Sequence, residues 1–142
     1  MTLLSTMDIS TSGLSCERKR MELIAQNIAN IETTETNGEG PYRRKVAVFQ
    51  EVLQQQLRSG KSDFTGQGVR ISEIVEDRSD PLMVYDPQHP DANAEGFVAK
   101  PNLNLADEIV DSISAARAYA ADVTVLNTTK SLAMKALTIG RG

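Results

Sequence analysis

The chain has few of the residues from which rigid cores and reactive sites are built. Its 142 residues include no tryptophan, and aromatic residues make up only 4%, which argues against a large rigid core. Cys16 is the only cysteine, so an internal disulfide and a cysteine cluster for a metal are excluded. We expect Cys16 to be a small, half-buried helix residue, although Arg18 and Lys19 beside it could favour a thiolate.

Three further absences limit the possible partners. The formal net charge is −4, which disfavours wholesale binding to nucleic acid. No run of about 18 apolar residues occurs, so no helix is expected to span a membrane. The first ten residues, MTLLSTMDIS, contain neither a basic region nor an unbroken apolar region. We therefore expect no cleavable export signal.

Residue patterns for catalysis are also missing. His89 is the only histidine and lies in a predicted turn, where Asp86 and Asp91 flank it without the spacing of a defined metal site. The glycines of 60–68 resemble a phosphate-binding loop only superficially, because Gln55 stands where the Walker pattern needs a glycine. The sequence therefore predicts no enzyme, no cofactor, no metal site and no small-molecule substrate.

The chain does have a long helical segment at each end, and the first is predicted over Leu3–Ile31. This helix carries two apolar rows, and the weaker one, which passes through Ile24, is interrupted by Ser10 and Glu17. Gly13 lowers the stability of the helix by about 1 kcal/mol relative to alanine. The main apolar row repeats every seven residues, which keeps one seam of a helix against a partner helix. This row consists of Met7, Leu14, Met21 and Ile28.

The middle of the chain, residues 32–101, is predicted to be a small antiparallel β element of three to five strands. Tyr42–Phe49 is rich in β-branched and aromatic residues, and Val69–Val75 begins with alternating apolar and polar residues. The prolines that bracket Leu82–Tyr85 indicate a short edge strand. Gly96–Ala99 is a further short strand candidate.

Other parts of the middle are predicted to lack strands. Residues 32–41 contain threonines, two glycines and a proline and should form a loop. Gln50–Arg58 contains no helix breaker, so it is predicted to be a short helix or a continuation into a loop. Gly60, Gly66 and Gly68 are predicted to mark turns.

The second long helix is predicted over Leu103–Ile139, with Asn102 or Asn104 as its cap and Gly140 as its end. At about 1.5 Å per residue it would reach roughly 52 Å, longer than a domain of this size requires. Its apolar and small residues follow one another at steps of three and four. They are Ala106, Ile109, Ile113, Ala116, Ala120 and Val123.

Two basic triplets carry most of the local positive charge, Arg18-Lys19-Arg20 and Arg43-Arg44-Lys45. The first spans most of a helical turn, so at least part of it is predicted to face solvent. The second flanks a strand, where alternation sends Arg44 opposite to Arg43 and Lys45. Pairing with an acidic patch of a neighbouring chain is the other reading of either triplet. The possible counter-charges are Glu32, Glu35, Asp107, Glu108 and Asp111.

These observations predict a mainly α fold with a small β element, divided into a helix over 1–31, a β-rich segment over 32–101 and a helix over 102–142. Polymerisation through helix faces is the first functional hypothesis, with the row through Met7 opposing Ile109, Ile113, Ala116 and Val123. A small cytoplasmic helical protein that acts as a regulator or chaperone is the alternative.

The chain resembles the family of bacterial flagellar rod and hook proteins, and within it the short components of the proximal rod. The resemblance covers nearly the whole length. It is carried by Asn27-Ile28-Ala29-Asn30, Thr33-Thr34, Gly40-Pro41-Tyr42-Arg43-Arg44-Lys45, Val48-Phe49-Gln50, Asp80-Pro81, Tyr85-Asp86-Pro87, His89-Pro90, Asp91-Ala92, Gly96-Phe97-Val98, Pro101-Asn102, Ala116-Arg117-Ala118-Tyr119 and Asn127-Thr128-Thr129-Lys130.

The resemblance implies an antiparallel coiled coil of the two terminal helices that lines a hollow, torque-transmitting axial tube in the flagellar basal body. It implies export through the flagellum-specific type III apparatus without a cleaved signal. It also implies assembly with copies of the chain and with other rod subunits. The predicted assembly residues are Met7, Leu14, Met21, Ile28, Asn30, Ile109, Ile113, Ala116, Val123 and Asn127.

Overall fold

The computed structural model describes residues 3–35, 38, 40–58 and 61–140. It also describes the side chains of these residues, except for those of residues 3–4, 54–58 and 61–65. Two long helices enclose four strands in chain order, which confirms the predicted arrangement of helical ends and a β-rich middle. The elements are α1 (Leu3–Ala29), β1 (Lys45–Arg58), β2 (Lys61–Glu76), β3 (Leu82–Tyr85), β4 (Phe97–Lys100) and α2 (Leu105–Ile139).

Both helices are slightly shorter than predicted. α1 ends at Ala29 rather than Ile31, because the chain turns at Asn30, whose carbonyl accepts the Thr33 N–H at 3.1 Å. α2 begins at Leu105 rather than Leu103. Its cap is Asn104, whose Oδ1 accepts the Ala106 N–H at 3.0 Å and so pairs a donor that the first turn leaves without a helical partner.

β1 and β2 form a long antiparallel hairpin, with Lys45 opposite Glu76 and Arg58 opposite Lys61. The prediction of a helix or loop over Gln50–Arg58 is therefore wrong, because this glutamine-rich stretch is the outer half of β1. It has no apolar period of its own, so its conformation follows from the backbone hydrogen bonds offered by β2. β1 also begins at Lys45 and not at Tyr42, which lies buried in the preceding loop.

The glycines at 66 and 68 lie inside β2 and not in turns, contrary to the prediction, while Gly60 lies outside the described residues. The ladder shifts register between Glu51 and Leu53, opposite this part of β2. Gly68 has φ +113°, a conformation that glycine adopts readily and other residues rarely adopt. A glycine within a strand often marks an irregularity or a close backbone approach.

β3 and β4 form a second, smaller antiparallel pair, in which Leu82 lies opposite Lys100 and Tyr85 opposite Phe97. The aromatic rings of Tyr85 and Phe97 meet edge to face with centroids 5.3 Å apart. The prediction of a short strand over Leu82–Tyr85 is confirmed, and β4 lies one residue later than predicted.

Few large apolar side chains are buried in the part of the chain that the structure describes, and none of its helices is long and apolar enough to cross a membrane. Many side chains of the strands and of α2 remain exposed, so single-chain packing covers only part of the apolar surface. The buried apolar residues are Cys16, Leu23, Ile24, Tyr42, Val98 and Ala115.

Candidate assembly surfaces and the polar clasp

The two helices pack antiparallel along one seam. Asn27, near the end of α1, contacts Glu108 at the start of α2, and Gly13, near the start of α1, lies against the side chain of Asp122 further along α2. The residues of α2 that this seam buries are separated by multiples of seven positions, and Asp122, between the second and the third, is half-buried. The buried residues are Glu108, Ala115 and Thr129, so the seam of α2 is polar and small rather than apolar.

Most of the large apolar residues of α2 lie outside this seam and are exposed. Ile109 is 46% exposed and Ile113 is 49% exposed, and the predicted interface residues Ala116 and Asn127 are exposed as well, while Val123 is half-buried. Within one chain, therefore, the row of Ile109 and Ile113 does not form the buried seam against α1. Its pairing with a row of another chain stays a prediction. The other exposed large apolar residues of α2 are Leu105, Val110, Val125, Leu132, Met134, Leu137 and Ile139.

The predicted apolar row of α1 is only half-buried, and so is Asn30 at the end of the helix. The deeper face of α1 is the neighbouring row, which includes Ile24 and Asn27. Ser10 is buried there and Glu17 is half-buried, so the polar residues that interrupt this row in the sequence lie on its packed side. The half-buried members of the predicted row are Met7, Leu14, Met21 and Ile28.

A buried hydrogen-bonding cluster, here called the polar clasp, joins the two helices to the loop before β1; it consists of Asn27, Tyr42, Arg44, Glu108 and the backbone of Lys45. Asn27 is 1% exposed. Its Nδ2 donates to the Lys45 carbonyl at 3.0 Å and to Glu108 Oε2 at 3.1 Å. Its Oδ1 accepts the Tyr42 hydroxyl and the Lys45 N–H, both at 3.0 Å. The amide thus uses its full hydrogen-bonding capacity.

An ion-pair network extends the clasp. Arg44 Nε donates to Glu108 Oε1 at 2.5 Å, and its Nη2 donates to Asp111 Oδ2 at 2.9 Å. A second cation, the guanidinium of Arg20, lies 3.8 Å from the other Asp111 oxygen. Burial disfavours the charge of Arg44, but the hydrogen bond and the attraction from Glu108 and Asp111 outweigh it and raise the pKa of Arg44.

These contacts change the interpretation of the basic triplets. Arg20 and Arg44 pair with Glu108 and Asp111, two of the predicted counter-charges, but within one chain rather than between chains. The sequence motifs around Asn27 and Tyr42 supported only a family resemblance. Sequence reasoning missed the clasp because its partners are separated by up to 81 positions, and no local spacing brings them together.

The hairpin is attached to the middle of α1 at a second place. The Val69 N–H donates to Ser12 Oγ at 3.1 Å, and Gly68 approaches so closely that an added Cβ would lie 2.2 Å from the same oxygen. Cys16 Sγ donates to the Val69 carbonyl at 3.6 Å. Burial, followed by repulsion from Glu17, raises the pKa of the Cys16 thiol, so the suggestion of a stabilised thiolate is wrong. Cys16 is a small helix residue as expected, but it is buried rather than half-buried.

An open groove of about 610 Å³ lies between α1 and the base of the hairpin. Its lining mixes charges of both signs, including Lys19, Lys45, Glu73 and Glu76, with the apolar side chain of Ile74. Lys45 lies 3.6 Å from Glu76 across the hairpin. The cations and carboxylates of the groove therefore neutralise one another in part, and the groove does not concentrate charge of one sign.

No group of three or more histidine, cysteine, aspartate or glutamate side chains suited to a metal occurs within 3–35, 38, 40–58 and 61–140. His89 has a structural role in its turn, as predicted. Its Nδ1 accepts the Asp91 N–H at 3.1 Å.

Comparison with known proteins identifies the family. Residues 7–35 match the family "Flagella basal body rod protein", and residues 94–139 match "Flagellar basal body rod FlgEFG protein C-terminal". These two regions contain α1 and α2 almost completely.

Relatives that match over their whole length extend the match to the middle of the chain. The flagellar basal-body rod protein FlgC of Bacillus subtilis is 45% identical over 99% of this chain and 100% of its own. The protein of that name from Borreliella burgdorferi is 40% identical over 100% of both chains, and that from Salmonella typhimurium is 37% identical over 99% and 100%. None of these three names denotes an enzyme. The chain therefore belongs to the FlgC family of flagellar basal-body rod proteins.

Proposed function

We propose that this protein is a structural subunit of the flagellar basal-body rod and that it assembles with copies of itself and with other rod subunits. The family membership supports this role, whereas the relatives give no support to a small cytoplasmic regulator or chaperone. The observation that carries the mechanism is the distribution of side chains on α2. The residues of α2 that are buried are polar or small, while most of its large apolar residues are exposed.

The exposed apolar side chains of α2 favour association with another chain. Full burial of an aliphatic side chain stabilises by about 1.5–3 kcal/mol, and Ile109 and Ile113 retain almost half of their surface for a partner. A neighbouring subunit that covered them would thus gain roughly 1 kcal/mol from each. Contiguous apolar surface of this kind typically marks a protein interaction site.

The half-buried row of α1 supplies the second surface in this proposal. Met7, Leu14, Met21 and Ile28 lie beside the buried seam and keep part of their surface accessible. We place them against the row of Ile109, Ile113, Ala116 and Val123 of another chain. Asn30, at the end of α1, and Asn127, within α2, belong to the same interface as polar contacts.

The finer features of the role come from the resemblance to the rod family. They are export through the flagellar type III apparatus without a cleaved signal, a position in the proximal rod, and a coiled coil of the terminal helices around a hollow, torque-transmitting axis. The seven-residue spacing of the buried positions on α2 supports the coiled coil, because that spacing keeps one face of a helix towards its partner.

The test is the change Ile113→Asp in a cell that lacks the wild-type protein. Because Ile113 is half exposed and outside the intramolecular seam, the purified variant should keep its helical circular dichroism. It should nevertheless be absent from isolated basal bodies, since assembly would bury the new carboxylate without a partner. Motility in soft agar should be lost.

Ser114→Asp is the matched control, since it places the same charge on the next exposed residue of α2. It should incorporate into basal bodies and support motility. Normal incorporation of Ile113→Asp would refute the proposed interface. Failure of both variants, with equal amounts exported, would show that added charge anywhere on this part of α2 is harmful and would remove the case for the Ile113 row.

A further inference from the structure

We propose that Asn27 and Glu108 set the register in which α2 packs along α1. A helix pair with an apolar, interlocking seam specifies its own register through side-chain shape. Two of the three buried positions of α2 supply no such feature, since Ala115 is small and Thr129 satisfies its hydroxyl within α2 by donating to the Val125 carbonyl at 2.9 Å. Small and self-satisfied residues of this kind fit equally well at neighbouring positions.

None of the described strands contacts α2 directly. Among the helices and strands that the structure describes, α2 packs against α1 alone, whereas α1 also contacts both strands of the hairpin. Besides its packing on α1, α2 is restrained by the short connection after β4, by the contact of Asp122 with Gly13 and by ion pairs of Asp111. The hydrogen bonds of Glu108 with Asn27 and Arg44 are the contacts that bury a polar pair, and they are satisfied in one register only.

A displacement by one seven-residue repeat shows what the polar pair contributes. If α2 slides by seven residues along α1, the residue opposite Asn27 is no longer Glu108. It becomes Ala115 for a slide in one direction and a residue that precedes α2 for a slide in the opposite direction. Either shift leaves the buried Asn27 amide without its carboxylate and separates Glu108 from Arg44. Buried polar groups without partners are costly, and a single buried polar residue is known to specify helix register at some cost in stability.

Gly13 and Asp122 provide a second contact in the same register. They lie fourteen positions from Asn27 and from Glu108 respectively, which is two seven-residue repeats on each helix. A Cβ at Gly13 would lie 2.7 Å from Asp122 Oδ2, so the aspartate occupies space that only glycine leaves open. The two contacts are consistent with the same register, but only the pair of Asn27 and Glu108 is joined by a hydrogen bond.

The register determines what the chain presents to a partner. In the observed register, residues 133–139 of α2 extend beyond the start of α1, and Met134, Leu137 and Ile139 are strongly exposed. A shift of seven residues would lengthen or remove this projecting end. The inference concerns the helix pair of a single chain, so it stands whether or not the chain assembles into a rod.

Distance measurement between two spin labels tests the register. In a chain with Cys16→Ser, nitroxide labels are attached at Ala25→Cys and Ser131→Cys, two exposed positions about 30 Å apart along the helix axes at roughly 1.5 Å per residue. The unaltered pair should give one distance by double electron–electron resonance. Adding Asn27→Ala and Glu108→Ala should produce a second population displaced by about 10 Å, the length of seven helical residues.

Thr129→Ala is the matched control, because it also truncates a buried polar residue of the seam but leaves Asn27 and Glu108 in place; it should keep the single distance. A double alanine variant that stays helical with one unshifted distance would overturn the proposal, as would a broad distribution in the unaltered pair. If the double variant loses its helical signal, Asn27→Leu decides, since leucine fills the volume without preferring a register. A second population then supports the proposal, and one unshifted peak refutes it.

Discussion

Arg44 offers the sharpest test of how the chain holds α2, since it is the only cation that contacts the buried Glu108 carboxylate among the described residues. The change Arg44→Leu keeps most of the aliphatic volume and removes the charge. Glu108 is 1% exposed, so its carboxylate would be left with the Asn27 amide as its remaining donor. We expect the loss of stability to come mainly from this stranded charge.

The magnitude follows from the burial of the two partners. Removing one member of a buried ion pair typically costs about 3–5 kcal/mol. The side chain of Arg44 is 29% exposed, and solvent screening weakens such a pair. We therefore expect Arg44→Leu to lower the free energy of unfolding by roughly 2–4 kcal/mol, measured by urea titration of the helical circular dichroism signal.

Arg43→Leu is the matched control, because it is the same change at the neighbouring residue. Arg43 is exposed, and its Nη1 donates a 3.5 Å hydrogen bond to the Asp77 carbonyl. Its effect should stay within about 0.5 kcal/mol. Equal losses in the two variants would refute the reasoning.

A double-mutant cycle then separates the stranded charge from lost packing. Glu108→Leu combined with Arg44→Leu should cost clearly less than the sum of the single changes, because the double variant leaves no unpaired buried carboxylate. Additive losses would contradict the role given to Glu108.

Three further outcomes follow from the contacts of α1. Gly68→Ala should destabilise the chain by about 2 kcal/mol or more in urea titration, because the positive φ of Gly68 and its approach to Ser12 exclude a methyl group. Gly66→Ala should cost less, because the added methyl group meets only the flexible side chain of Glu51. Similar losses in the two variants would contradict this reasoning. The Cys16 thiol, buried and with a raised pKa, should react with Ellman's reagent only after urea is added, and rapid reaction in buffer would exclude its burial. Burial, with Glu76 and Glu108, raises the Tyr42 pKa above its ordinary value of 10.0. The raised pKa contributes to stability fully below pH 10, and this contribution is lost as the pH rises through the raised value. Tyr42→Phe should therefore flatten the alkaline decline in melting temperature, and an unchanged decline would contradict this.

The elements that could be predicted from the sequence are those with local causes. α2 was recognisable because its apolar steps and the asparagine cap at Asn104 lie within a few positions of one another. The bracketing prolines of Leu82–Tyr85 made β3 recognisable for the same reason. The outer half of β1 was not recognisable, because Gln50–Arg58 is a strand only through its pairing with β2.

The candidate assembly surface could likewise be predicted only in part from the sequence. The apolar row of Ile109 and Ile113 can be read from spacing alone, but spacing does not say whether it faces α1 or solvent. Ser10 and Glu17 look like interruptions of a weaker row, and yet that row is the packed one. Two rows of similar spacing compete on one helix, and only the contacts of the folded chain select between them.

By itself, the sequence determined that the chain ends are long helices and that the middle is β-rich. These properties depend on residue types and on periods of a few positions. The tertiary structure alone decided which helix face is buried, where the hairpin lies on α1, and that Asn27, Tyr42, Arg44 and Glu108 form one cluster. The reason is physical: burial and hydrogen bonding depend on distances in space between residues that the chain itself keeps far apart.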